Sequence, residues 1–148
     1  GWFRTESFLV TRGLEGCAKL DDVLARPLPR AEKNELIARA ALLVKKMHAA
    51  GFNHRDLYLC HILHDPAGAL YIIDLHRVQQ RGRVPERWRV KDLAALDFSA
   101  PAGALSRTDR LRFLKWYLGI DRLSFRAKRL AFKILKKSQK MLEHNTKK

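Results

Sequence analysis

Asp56 and Asp74 stand eighteen positions apart, the first closing His54-Arg55-Asp56 and the second following the apolar run Leu70-Tyr71-Ile72-Ile73. Two carboxylates so placed suit phosphoryl transfer, where a protein contributes mainly positioning and charge stabilisation. One accepts a hydrogen bond from the attacking hydroxyl, and the other holds a metal-bound nucleotide. Asp65-Pro66-Ala67-Gly68 has the composition of a turn, so the segment reads as loop, strand, turn, strand, carboxylate. Asp56 is the expected catalytic residue, and a cap or turn aspartate is the plainer alternative.

The elements around this pair must present it. Leu36, Ile37, Ala40, Leu43, Val44 and Met47 recur at helical spacing, which predicts an amphipathic helix over 31–50 with Gly51 as its C-terminal cap. That helix delivers the chain straight into Phe52-Asn53-His54-Arg55-Asp56. Asp74, at the end of an apolar strand, is expected to need a partner, since an unpaired buried carboxylate costs several kcal/mol. Either a Mg²⁺ ion with nucleotide phosphates or a salt bridge to Arg77 or Arg55 would supply one. His61 can ligate a divalent cation, bond a phosphate or hold the loop, although Mg²⁺ prefers oxygen. His54, Cys60, His61 and His64 lack the spacing of a structural zinc site.

Asp21 or Asp22 is predicted to cap a short helix through Ala25, ended by Pro27 and Pro29. Residues 77–89 are basic, contain Gly82 and Pro85, and read as an exposed loop ahead of a short helix over 91–99. Ser106 and Asp109 have the spacing of a capping box for a helix through Leu118, closed by Gly119. A last helix is expected from Leu123 to about Leu142, with residues 145–148 disordered.

The protein-kinase signature is H-R-D-L, three residues and Asn, with a metal-binding Asp after the next hairpin. Here His54-Arg55-Asp56-Leu57 matches, His61 stands at the Asn position, and Asp74 is followed by Leu75-His76 rather than Phe-Gly. The blocks NHRDLYLCHILHD (53–65), LYIIDLHRVQ (70–79) and PERWRVKDLAALDFSA (85–100) resemble the lipopolysaccharide kinase family, most closely its WaaP-type members that phosphorylate a core heptose. The resemblance extends over roughly positions 8–118.

That resemblance implies an α+β, protein-kinase-like fold. Residues 17–148 would form a mostly helical C-terminal lobe with a small β-hairpin, and residues 1–16 the last strand of the N-terminal lobe and the hinge. No G-x-G-x-x-G loop occurs, so the N-terminal lobe is expected to be largely missing and the fragment inactive alone. Backbone groups near Arg12 and Leu14 would hydrogen-bond the adenine of ATP; on residues alone, 7–11 equally suits an ordinary edge strand. Asp74 and His61 would hold Mg²⁺, His54 and Arg55 would organise the loop, and Asp92 would support it from below. Tyr58 occupies the place of the kinase loop lysine. The implied partner is the lipopolysaccharide core glycolipid at the cytoplasmic face of a Gram-negative inner membrane.

The chain has 148 residues, enough for one domain, and a net charge of +15. Residues 105–148 hold 14 Lys and Arg against 3 Asp and Glu, so the surplus is C-terminal. Interleaved with Phe113, Trp116, Tyr117, Phe125 and Phe132, it suits an anionic membrane surface or glycolipid. A nucleic-acid-binding module is the rival from another class, and no recognised nucleic-acid motif accompanies the charge. An inactive scaffold is a further alternative. Cys17 and Cys60 have no framework spacing, and no apolar run of about eighteen residues spans a membrane. A cytoplasmic protein is expected.

Overall fold

The computed structural model describes residues 13–146. The strand expected over 7–11 and the hinge position Arg12 lie outside them. Five helices and two small antiparallel sheets follow in the order β1 (Ala18–Lys19), α1 (Leu20–Leu24), α2 (Arg30–Ala49), β2 (Phe52–Asn53), β3 (Ile62–His64), β4 (Leu70–Ile72), β5 (Gln79–Gln80), α3 (Glu86–Phe98), α4 (Arg107–Leu118) and α5 (Phe125–Thr146). The predicted hairpin is present, with Ile62 opposite Ile72 and His64 opposite Leu70, and β1 adds to its outer edge by pairing with β3. β2 and β5 make the second sheet, Phe52 opposite Gln80 and Asn53 opposite Gln79.

The apolar spacing of α2 turns Leu36, Ile37, Ala40, Ala41 and Val44 inward, where they meet Leu114 and Tyr117 of α4. α3 packs along α5 through Leu93, Leu96 and Leu130. Leu57, directly after Asp56, is completely buried. Its burial, a contribution of about 1.5–3 kcal/mol, anchors the loop to the core.

Gly51 closes α2 with φ +85°, and a Cβ on it would lie 2.1 Å from the Arg81 carbonyl oxygen. The Arg81 N–H donates to the Gly51 carbonyl at 2.7 Å. The glycine therefore both ends the helix and lets β5 approach β2, which sets where the loop of His54, Arg55 and Asp56 begins.

Three boundaries differ from expectation. α1 starts after Lys19 without a side-chain cap, so Asp21 and Asp22 lie in its first turn, where they complement the helix dipole. α3 begins at Glu86 behind Pro85, five residues before the predicted start, so Arg87 and Arg89, read as loop, lie in its first turns. α5 continues to Thr146, so Asn145 and Thr146, expected to be disordered, are helical, and 147–148 lie outside the described residues.

The capping box of α4 is as predicted. The Asp109 N–H donates to Ser106 Oγ at 3.1 Å, and the Ser106 N–H and hydroxyl donate to Asp109 Oδ2 at 2.9 and 2.8 Å. Lys33 of α2 reaches Asp109 Oδ2 at 3.1 Å and ties α2 to α4, and Arg112 meets Oδ1 at 2.8 Å. Burial alone would raise the Asp109 pKa, but the bonds from Ser106 and Lys33 outweigh it and bring it from 3.8 down to about 2. A carboxylate with a depressed folded-state pKa stabilises above its unfolded value and loses that contribution as pH falls through the folded one. Stability should therefore decline from about pH 4 to about pH 2 by at most about 2 kcal/mol from this residue. Urea unfolding at stepped pH should show a shallower acid limb for Asp109→Asn than for the parent.

Candidate functional site

After β2 the chain turns sharply through His54, Arg55 and Asp56. Arg55 takes φ +77°, a conformation that a non-glycine residue holds only with outside support. Asp92 of α3 provides it. Its fully buried carboxylate accepts from the His54 N–H at Oδ2 and from the Arg55 N–H at Oδ1, both at 2.8 Å. His48 of α2 bonds the same Oδ2 through Nε2 at 3.1 Å, and its Nδ1 meets the Tyr117 hydroxyl of α4 at 2.8 Å. Burial raises the Tyr117 pKa, which suits a phenol that donates to His48. Asp92 thus lies beneath the loop as the resemblance implied. His48 and Tyr117, which orient it, have no local signal in the sequence.

His54, completely buried, donates from Nε2 to the Ile73 carbonyl at 2.9 Å. His61 donates from Nδ1 to the Asp56 carbonyl at 2.8 Å, and its own carbonyl accepts from the Ile73 N–H at 2.9 Å. These bonds join the loop to the segment carrying Asp74. They also set the tautomer of His61, leaving the Nε2 lone pair 3.4 Å from Asp74 Oδ2. A lone pair and a carboxylate oxygen facing each other are a fitting pair of donors for a divalent cation whose other ligands are phosphate and water oxygens. Among the described residues no group of three or more His, Cys, Asp or Glu gathers at a metal position.

Asp74 corrects one expectation. β4 stops at Ile72, and Asp74 sits beyond it in the left-handed region at φ 60°, ψ 54°, with 37% of its side chain exposed. It is not a buried strand-end carboxylate. His76, in the helical turn Leu75–Arg77, bonds its Oδ1. That bond foremost, aided by the neighbouring imidazoles of His76, His61 and His54 and opposed by slight burial, lowers the Asp74 pKa below the usual carboxylate value. The salt bridge from Arg77 or Arg55 to Asp74 does not form. Arg77 Nη1 instead lies 2.7 Å from Asp56 Oδ2, so one short turn hands His76 to Asp74 and Arg77 to Asp56.

Two further groups reach this place. Tyr58 stacks edge-on against His61 at 5.7 Å, and burial first, then the field of Asp56, raises the pKa of its phenol. The Lys91 ammonium has a lowered pKa, through burial first and then repulsion by Arg55 and Arg77, with Asp56 opposing. Leu14 is 41% exposed and lines a shallow recess of about 450 Å³ with Cys17, Asp65, Pro66 and Tyr71. That recess includes none of Asp56, His61 or Asp74.

The model of the lipopolysaccharide kinase (Kdo/WaaP) family matches residues 2–117. The chain is 47% identical over 125 residues to the lipopolysaccharide core heptose(I) kinase WaaP of Pseudomonas aeruginosa and 44% identical over 125 residues to that of Escherichia coli K12, covering 77% of this chain in each case. It spans about half the length of these curated relatives, 47% of each. A solved structure of WaaP in complex with acyl carrier protein superposes with a TM-score of 0.76 at 39% identity, over 86% of this chain and 58% of that one. With a family model matched over residues 2–117 and curated relatives 44–47% identical, the chain belongs to the lipopolysaccharide kinase (Kdo/WaaP) family.

Proposed function

We propose that this chain carries the acceptor-binding and metal-binding part of an ATP-dependent kinase of protein-kinase-like fold that phosphorylates a heptose hydroxyl of the lipopolysaccharide inner core. The observation that carries this reading is the placement of Asp56 against Arg77 beside the His61–Asp74 pair, on a loop held by Asp92. ATP would supply the phosphoryl group, and a Mg²⁺ ion held here would offset the charge of its phosphates. Asp56 Oδ2 accepts the hydrogen bond of the sugar hydroxyl and orients it, while Arg77, swung from that oxygen, meets the charge of the transferred group. Arg77 so takes the part of the lysine that Tyr58 replaces. Asp74 and His61 would hold the cation, and backbone groups near Arg12 and Leu14 would contact adenine. Asp74→Asn should weaken Mg²⁺-dependent nucleotide binding by about tenfold, the loss of one charged ligand. Titration with a fluorescent ATP analogue with and without chelator measures this; unchanged affinity would reject the metal assignment.

Among the described residues no helix is long and apolar enough to cross a membrane. α5 exposes Phe125, Phe132 and Leu142 among its lysines and arginines, which supports a peripheral location on the anionic cytoplasmic face of the inner membrane. Binding to anionic vesicles should fall steeply as the Debye length shrinks from about 10 Å at 0.1 M salt to about 3 Å at 1 M. Reversing Lys128, Lys136 and Lys137 to Glu should weaken it further. Equal sedimentation with neutral and anionic vesicles would reject this surface, and tight binding to duplex DNA alone would favour the nucleic-acid reading.

A second partner is supported by a cavity of about 500 Å³, walled by Leu24, Leu36, Leu96, Leu114 and Ile134 and rimmed by Arg107, Arg110 and Lys128. The solved relative is a complex with acyl carrier protein. We infer such a carrier as a partner here too, its acyl chain entering the apolar cavity.

A further inference from the structure

Trp88, in the first turn of α3, is ringed by cations. The guanidinium carbons of Arg81, Arg87 and Arg55 lie 5.1, 5.4 and 5.7 Å from its ring centroid, and the Lys91 ammonium lies 5.7 Å away. Arg87, Trp88 and Lys91 share one helix face by their spacing, while Arg81 directly follows β5 and Arg55 comes from the loop before Asp56. Arg81 is held in place by its Nε–H bond to Asn53 Oδ1 at 2.9 Å.

The nearby carboxylates are engaged elsewhere. Asp56 meets Arg77, Glu86 is drawn to Lys133 of α5, and Asp92 is consumed beneath the loop. Among the described residues, Arg55, Arg81, Arg87 and Lys91 therefore form no ion pair. One indole face attracts a cation, but four like charges gathered on it repel one another unless an anion joins them. Hydrogen bonding points the same way. Arg55 Nε, Trp88 Nε1 and Arg89 Nε are buried donors without acceptors, a condition that folded proteins rarely leave uncorrected. The positive end of the α3 dipole adds to the field.

We propose that Arg55, Arg81, Arg87 and Lys91 form a binding site for an oxyanion, a carboxylate or phosphate carried by the sugar acceptor, which docks that acceptor with its hydroxyl toward Asp56. Arg55 is the residue before Asp56, so an anion held here lies beside the reacting hydroxyl. The lowered pKa of Lys91, through burial and the fields of Arg55 and Arg77, agrees with a cation waiting for a counter-charge. The role as acceptor subsite rests on the kinase reading above; the oxyanion site itself does not.

The test uses Trp88 as its own reporter. With Trp2→Phe and Trp116→Phe in the purified protein, emission is titrated with inorganic phosphate, glucose 1-phosphate and glucose. Saturable change with the two anions and none with glucose is expected. Arg87→Gln with Lys91→Gln should weaken anion binding at least about tenfold, as loss of charge-assisted bonds does, with the same melting temperature, and Arg87→Lys with Lys91→Arg should restore it. No saturable response, or an equal one in the Gln variant, overturns the site. In kinase assays of the full-length enzyme, the Gln variant should raise KM for core oligosaccharide about tenfold and leave KM for ATP unchanged. A shift confined to ATP would assign the oxyanion to the nucleotide and overturn the acceptor role. Absence of phosphorylation by the parent enzyme would count against the kinase reading, while the fluorescence titration would still decide the oxyanion site.

Discussion

Asp56→Asn is expected to lower turnover by at least ~100-fold, a loss of about 2.7 kcal/mol of transition-state stabilisation, with little change in nucleotide affinity. The two effects separate because of how the loop is bonded. His61 is held by the backbone carbonyl of Asp56, not by its side chain, so the substitution leaves the His61–Asp74 pair in place. An Asn amide could still meet the proposed acceptor hydroxyl, but it cannot take its proton or offset the charge of Arg77. Fold stability should change little, since the Asp56–Arg77 pair is partly exposed, with Arg77 at 44%, and such pairs contribute about 0–1 kcal/mol. Single-turnover kinetics at saturating ATP, beside nucleotide titration, measure both quantities. Near-parental turnover would show that Asp56 is not the residue facing the acceptor.

What the sequence disclosed depended on how local the determining interaction was. The Ser106–Asp109 box, the Gly51 terminus and the hairpin turn at 65–68 are complete within a few residues, and each formed as read. The order of Asp56, Asp74 and Asp92 was legible through the spacing of three blocks, although nothing in that spacing reveals that Asp92 bonds two backbone N–H groups. The salt-bridge alternative from Arg77 to Asp74 failed because its target depends on the left-handed backbone of Asp74, after which Arg77 lies against Asp56. A non-glycine residue gives no sign that it will adopt such a conformation. The start of α3 was missed because Arg87 and Arg89 read as loop, although Pro85 at its entrance is a helix-start signal. The Trp88 cluster joins three segments, and only the folded chain brings its cations together.

Asp92→Asn should be the most destabilising of the polar substitutions around the loop, costing about 3–5 kcal/mol. Three donors converge on its two oxygens: the N–H groups of His54 and Arg55 and the Nε2 of His48. An amide offers one oxygen and turns an NH₂ toward a donor, so at least one buried N–H loses its acceptor. Removal of the charge also weakens the hold on Arg55, whose positive φ has no intrinsic preference to sustain it. Urea unfolding should show this loss, with a melting temperature lower by roughly 10 °C. His48→Gln removes one bond of the three and should cost only about 1 kcal/mol. Asp92 touches no substrate, so the folded fraction of Asp92→Asn should keep its nucleotide affinity and lose turnover as Asp56 drifts from its position. If Asp92→Asn unfolds within about 1 kcal/mol of the parent, a span too small for a buried donor left unpaired, the loop is held by its own turn and by His54 rather than from beneath.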